Sequence, residues 1–307
     1  MRFYGLGFGL LAASLASVSA QVTVEVTQEQ HQFLQGEALP LAVRITNLSG
    51  QPLRLGAEED WLTFSVEGRE GIKVVSKIGD PPVQGEFVLE SSKVAIKRVA
   101  DLAPFFSLTE PGRYAVIASV RLKDWDRLIT SPPKEFDIIE GARLWEKEVG
   151  IPRSTGDASG PPDTRRYLLQ QANYLKGRLW LYLRVTEGNG KILRVVPIGP
   201  MVSFSRPEPQ VDKASNLHVL YQFGPSAFSY TVFNPQGELV MRRTYDYISS
   251  RPRLGIDEAG DIAVLGGARR FAATDVPKPP SPAAAVPAAP APREDSEASE
   301  VPKPAKP

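Results

Sequence analysis

The chain of 307 residues has no cysteine and only two histidines, His31 and His218. Without thiols it forms no disulfides, no thiolate zinc or iron–sulfur sites and no thiol nucleophile. Two imidazoles leave little for metal ligation or a catalytic triad. Excess charge is absent as well: 36 basic side chains stand against 35 acidic ones, a formal net charge of +1. Holding nucleic acid by its phosphates needs a surplus of Lys and Arg, so no nucleic-acid partner is expected. Beyond the N-terminal segment, no stretch reaches the roughly 20 consecutive apolar residues of a spanning helix. Common catalytic motifs are missing too: there is no G-x-S-x-G elbow, no S-x-x-K with its companion motifs, no H-E-x-x-H and no phosphate loop.

Residues 1–20, MRFYGLGFGLLAASLASVSA, combine one positive charge at Arg2, an apolar stretch and the small residues Val18, Ser19 and Ala20. That order predicts a secretory signal peptide cleaved between Ala20 and Gln21. The expected mature chain is secreted or periplasmic, has no cysteine for a lipid anchor, and is not expected to insert into a membrane after cleavage. At the other end, 18 of the 32 residues from Val276 onward are Pro or Ala and none is aromatic. Such a composition cannot build a core, and residues 274–307 are expected to form a disordered tail.

Residues 21–140 consist of short apolar runs, among them VTVEV, LPLAVRITN, WLTFSVEG, GRYAVIASVRL and KEFDII, punctuated by Gly, Pro, Asn, Asp and Ser. In 112–122, Tyr114, Val116, Ala118, Val120 and Leu122 share one face, while Arg113, Ala115, Ile117, Ser119 and Arg121 share the other. This is the period of a half-buried strand, and one buried face per strand predicts two packed sheets. The turn LTEPGRY leads into a strand opening on Tyr114, whose hydroxyl is expected to bond upstream backbone. On these marks, with the ITNLSGQPLRL hairpin, the segment resembles the immunoglobulin-like β-sandwiches of secreted bacterial proteins. It lacks the intersheet cysteines and intervening Trp of antibody domains. The resemblance implies an adhesion, spacing or binding module with any specificity in its loops. The NLSGQP turn and the neighbouring acidic–aromatic stretch also resemble small bacterial proteinase-inhibitor sandwiches.

Residues 141–164 contain GDASGPPD and are expected to be a connector, with Leu144 and Trp145 placed to dock on a neighbour. From 165 to 273 the chain repeats itself. SRPEPQVDKASNLHVL (205–220) and SRPRLGIDEAGDIAVL (250–265) share seven of 16 residues at a fixed offset of 45, and KGRLWLYL from Lys176 is a weaker third copy. A period near 45 resembles β-propeller blades. About two and a half units fit into the segment, too few to close a ring, so a short stack of antiparallel sheets capped by the first domain and its connector is expected, with a ring completed by several chains as the alternative. Asp212 and Asp257 fall at matching turns, where a short carboxylate bonds its own backbone.

The fold class expected is therefore all-β, a sandwich followed by a propeller-like repeat. Carboxylate chemistry has two candidate places, Glu58-Glu59-Asp60-Trp61 and Asp124-Trp125-Asp126, since paired acids serve in glycoside hydrolysis and Trp stacks on sugar rings. Trp61, Asp124, Trp125 and Asp126 are the candidate ligand contacts; Tyr114, Asp212 and Asp257 are structural. No catalytic residue, cofactor or metal is expected. The function expected is a non-catalytic binding or scaffold protein of the bacterial envelope, monomeric, with a protein or glycan partner. A glycan-directed hydrolase and a proteinase inhibitor are the alternatives.

Overall fold

The computed structural model describes residues 22–69, 71, 74–83, 85–152, 163–174 and 177–277. The expected signal peptide, nearly all of the expected tail and the middle of the expected connector lie outside the described residues. Among those described, strands dominate, and helix is confined to short 3-10 turns, among them Ala103–Phe105 and Lys123–Trp125. No described helix is long and apolar enough to cross a membrane.

The N-terminal unit holds β1 (Val22–Thr27), β2 (Gln32–Leu34), β3 (Leu41–Asn47), β4 (Leu53–Leu55), β5 (Leu62–Gly68), β6 (Phe87–Leu89), β7 (Lys93–Val99), β8 (Gly112–Leu122), β9 (Arg127–Thr130) and β10 (Lys134–Ile139). One sheet has the order β1-β3-β7, the other β2-β10-β8-β5 with β9 also on β8, and β4 pairs β6. All pairings are antiparallel except β2 with β10. Strict alternation turns Val22, Val24, Val26, Val43 and Ile45 of one sheet towards Phe64, Val66, Val116, Ala118, Val120 and Phe136 of the other. The buried Tyr114 ring stacks on Phe136 at 5.6 Å, and its hydroxyl donates to Glu110 O at 2.6 Å. That bond ties the 109–112 turn down onto β8.

The C-terminal unit holds β11 (Ala142–Gly150), β12 (Thr164–Tyr174), β13 (Arg178–Glu187), β14 (Ile192–Pro200), β15 (Glu208–Val211), β16 (Leu217–Gln222), β17 (Ala227–Phe233), β18 (Leu239–Asp246), β19 (Arg253–Ile256), β20 (Ile262–Leu265) and β21 (Ala268–Arg270). They form three antiparallel sheets: β11-β12-β13-β14, then β15-β16-β17-β18 with β21 added to β18, then the pair β19-β20. The first part of the expected connector is thus strand β11. Its alternation is masked in the sequence by Arg143, Glu146, Lys147 and Glu148, which suit an edge strand because charge deters further pairing.

The sheets are stacked in series. Tyr167, Leu169, Leu181, Leu183 and Val185 of the first pack on Leu217, Val219, Tyr221 and Phe233 of the second. The other face of the second sheet places Leu220, Phe228, Tyr230 and Val232 against Leu254, Ile262 and Val264 of the third. The far face of the first sheet, with Ala172, Tyr182 and Val195, packs on Leu34 and Ile139 of the N-terminal unit.

Among the described residues one turn recurs four times. At Glu187, Asp212, Asn234 and Asp257, the backbone N–H donates to the carbonyl four residues on, and the N–H three residues on donates back. The fourth residue of each turn, Gly190, Ser215, Gly237 or Gly260, is left-handed. These are three-residue hairpin loops with a left-handed closing residue. The offset of 45 in sequence spans two such turns, because Asp212 and Asp257 are alternate members of the series.

Candidate functional site

Three loops meet at one end of the N-terminal unit. Gly56 has φ +87, and a Cβ there would lie 2.2 Å from Gly85 O, so only glycine lets the 56–61 and 80–86 loops touch. The third loop, the 3-10 turn Lys123–Trp125, brings Lys123 Nζ to Glu58 at 2.5 Å and holds it beside Arg121, which pairs with Asp60 at 3.2 Å. Asp80 pairs with Lys77 at 2.7 Å and accepts Phe64 N–H at 3.0 Å. Between the loops lies an open cleft of about 620 Å³ lined by residues 56–60, 80–83 and 85. A recess of about 100 Å³ beside it is lined by Arg54, Glu86, Arg121, Lys123 and Asp124, among others.

The fold therefore brings together the two acidic–aromatic clusters that lie far apart in sequence. Their roles differ from residue to residue. Trp61 is 3% exposed; its Nε1 donates to Val83 O at 2.8 Å and its ring meets Phe87 edge-on at 5.7 Å, so the ring serves the core and carries the cleft wall. Trp125 is half-buried and packs on the same core. Asp124 lines the recess, and Asp126, exposed at φ +47, closes the 3-10 turn through its N–H to Lys123 O. The hydrogen bond and charge of Lys123 hold the Glu58 carboxyl below the usual carboxylate range. Ionised carboxylates with cations at their flank can accept hydrogen bonds from hydroxyl or ammonium groups; Glu58 in that state has no proton to donate near neutrality.

The structural aspartates cap turns. Asp212 accepts Asn216 N–H at 2.7 Å, and Asp257 accepts the N–H groups of Ala259 and Asp261, each at 3.0 Å. His218 continues the network from Asp212: Nε2 lies 3.2 Å from Asp212 Oδ2 and Nδ1 lies 2.6 Å from the Tyr230 hydroxyl. Burial opposes ionisation of Asp212, but hydrogen bonds from Asn216 and His218 outweigh it and keep its pKa below the ordinary value. Burial pushes the Tyr230 phenol up to about 12, and its hydroxyl donates onward to Ile262 O at 3.3 Å. The chain Asp212–His218–Tyr230–Ile262 joins the second sheet to the third without opening onto the cleft.

One ionisable group stands out that the sequence does not mark. Glu37, in QGEALP, is 6% exposed where the two units meet. Its carboxylate accepts Leu34 N–H at 2.8 Å and Gln30 Nε2 at 3.3 Å, and its backbone bridges to Val195. Burial raises its pKa to about 7 against those two hydrogen bonds. Nearby, Arg184 of β13 reaches across to donate to Gln35 O at 3.0 Å, and Gly36 leaves room for Ile192 and Val195. Among the described residues, no group of three or more His, Asp or Glu side chains is placed to share a metal ion.

No family model and no curated protein matches the chain. Among solved structures, the sporulation control protein Spo0M from Bacillus subtilis aligns over 59% of this chain and 90% of its own, at 10% identity and a TM-score of 0.31. That score is too low to define a shared fold.

Proposed function

We propose that this is an exported, non-catalytic binding or scaffold protein of the bacterial envelope. In this reading the N-terminal unit is an immunoglobulin-like sandwich that presents its end-loop cleft, and the C-terminal unit is an open run of propeller-type blades that spaces it. The observation that carries the reading is the state of the cleft acids. Glu58 is held ionised by Lys123, Asp60 is paired with Arg121, and Asp80 is paired with Lys77 while it also braces Phe64. A glycosidase needs one carboxyl kept protonated beside the scissile bond. Among the described residues, the one carboxyl with a strongly raised pKa, Glu37, is enclosed at the junction away from both recesses. The partner is an envelope glycan or protein that offers hydroxyl or cationic groups to the cleft.

Co-sedimentation of the full chain with peptidoglycan-containing envelope fragments tests this. The wild-type protein is expected to be retained, Glu59→Lys to lower retention at least about tenfold, equivalent to ~1.4 kcal/mol, and no reducing sugar to be released. Release of reducing ends that Glu58→Gln abolishes would establish a hydrolase instead.

A further inference from the structure

The third sheet of the C-terminal stack ends after two strands. Beyond Leu265 the chain turns away through Gly266 (φ +73) and Gly267 (φ +66), where a Cβ at 267 would lie 2.5 Å from the Pro252 ring. It then lays β21 on the edge of β18 in the sheet below instead of continuing beside β20. The two edges of the short sheet are left in different conditions. On β19, Leu254 N–H donates to Glu208 Oε2 at 3.0 Å, so this edge is capped by a side chain from β15. Because Leu254 bonds outward and stands opposite Val264, the pair is of the wide type, and the Val264 N–H and C=O also point outward, along the open edge of β20. Ile262, two residues away, points the same way, with its carbonyl touched by Tyr230. Ile262, Ala263, Val264 and Leu265 are all partly exposed and carry no charge, in contrast to β11, whose edge is studded with ions. An uncharged open edge is a template for another strand.

We propose that this edge pairs with the same edge of a second copy of the chain, β20 against β20 antiparallel about a two-fold axis at Ala263. The register gives Ile262 opposite Val264 of the second copy and the converse, both hydrogen-bonded pairs, so four backbone bonds form. Ile262 O can accept one of them on its second lone pair. The result is a four-stranded sheet β19-β20-β20-β19, with as many strands as the β11–β14 sheet two layers below it in the stack. Charge favours this occupant. The loop at the start of β20 is acidic, with Asp257, Glu258 and Asp261 exposed, while exposed Arg253 lies opposite Leu265 at its end. Antiparallel two-fold pairing sets the acidic end of one copy beside the basic end of the other. Asp261 and Arg253 of the second copy then share a face two strands apart, about 10 Å between Cα atoms, within reach of an arginine side chain. Parallel pairing would set acid on acid.

The test is sedimentation velocity of the full chain over a range of concentrations. A reversible dimer is expected. Ala263 lies on the face away from the second sheet, so Ala263→Lys is expected to weaken the dimer at least about tenfold by meeting its own symmetry mate, without altering the monomer's stability. Arg253→Glu and Asp261→Arg are each expected to weaken it, and the double variant to restore it, a rescue that a loss of folding does not give. A chain that stays monomeric at every concentration, or a dimer indifferent to Ala263→Lys, would overturn the proposal.

Discussion

Replacing Glu37 with Gln is expected to raise stability by about 3 kcal/mol at pH 8 and to change it little at pH 4. In the unfolded chain the carboxyl titrates at its ordinary value of 4.5; in the folded protein burial lifts it to about 7. Between those values the unfolded chain has released a proton that the folded one keeps, so raising the pH favours unfolding, by about 1.4 kcal/mol per pH unit. Above 7 both states are ionised and the cost levels off. Glutamine keeps an acceptor for Leu34 N–H but has no proton to lose. Urea unfolding of both proteins from pH 4 to 9 reads this directly. Parallel curves across that range would show that Glu37 is not enclosed as described. Its site matters because Leu34, Tyr182 and Val195 share the patch, so the charge develops inside the seam that joins the two units.

Trp61→Ala is expected to cost about 4 kcal/mol at every pH, the cost of emptying a large aromatic site in a packed core. The ring fills space against Phe87, and Lys97 Nζ lies over both rings, 4.0 Å from the centre of Phe87 and 5.8 Å from that of Trp61. Trp61→Phe is expected to cost less, about 1–3 kcal/mol, chiefly for leaving Val83 O unpaired. The same series separates two roles for the residue. If Trp61→Ala folded with undiminished stability but lost retention on envelope fragments, the ring would be a ligand platform after all.

What the sequence conveys follows from what side-chain period can encode. Alternation along 112–122 identifies β8 and its buried face, and the seven matched residues at an offset of 45 identify related pieces, with Asp212 and Asp257 at their turns. Period says nothing about which surface covers a face. Tyr182 and Trp180 alternate with Leu181 and Leu183 like any strand residues, and only the fold places Tyr182 against Leu34. Glu37 gives no signal, because its burial depends on Val195, some 160 residues away in the chain. The candidate cleft is half legible. Glu58 and Asp124 are marked by composition, but that they face one end, and that Trp61 points inward, depends on the Gly56–Gly85 approach and the Lys123 turn. β11 is hidden because its charges imitate a loop.

The units form one continuous series of layers, from the N-terminal sheets through the seam at Tyr182 to β20. The absence of native cysteine lets this be measured cleanly. Spin labels on Lys93→Cys and Lys147→Cys, exposed positions on either side of the seam, report their separation by pulsed electron resonance in the full chain. One narrow distance at pH 6 is the predicted result; a broad or multiple distribution there would contradict the shared seam and the scaffold built on it.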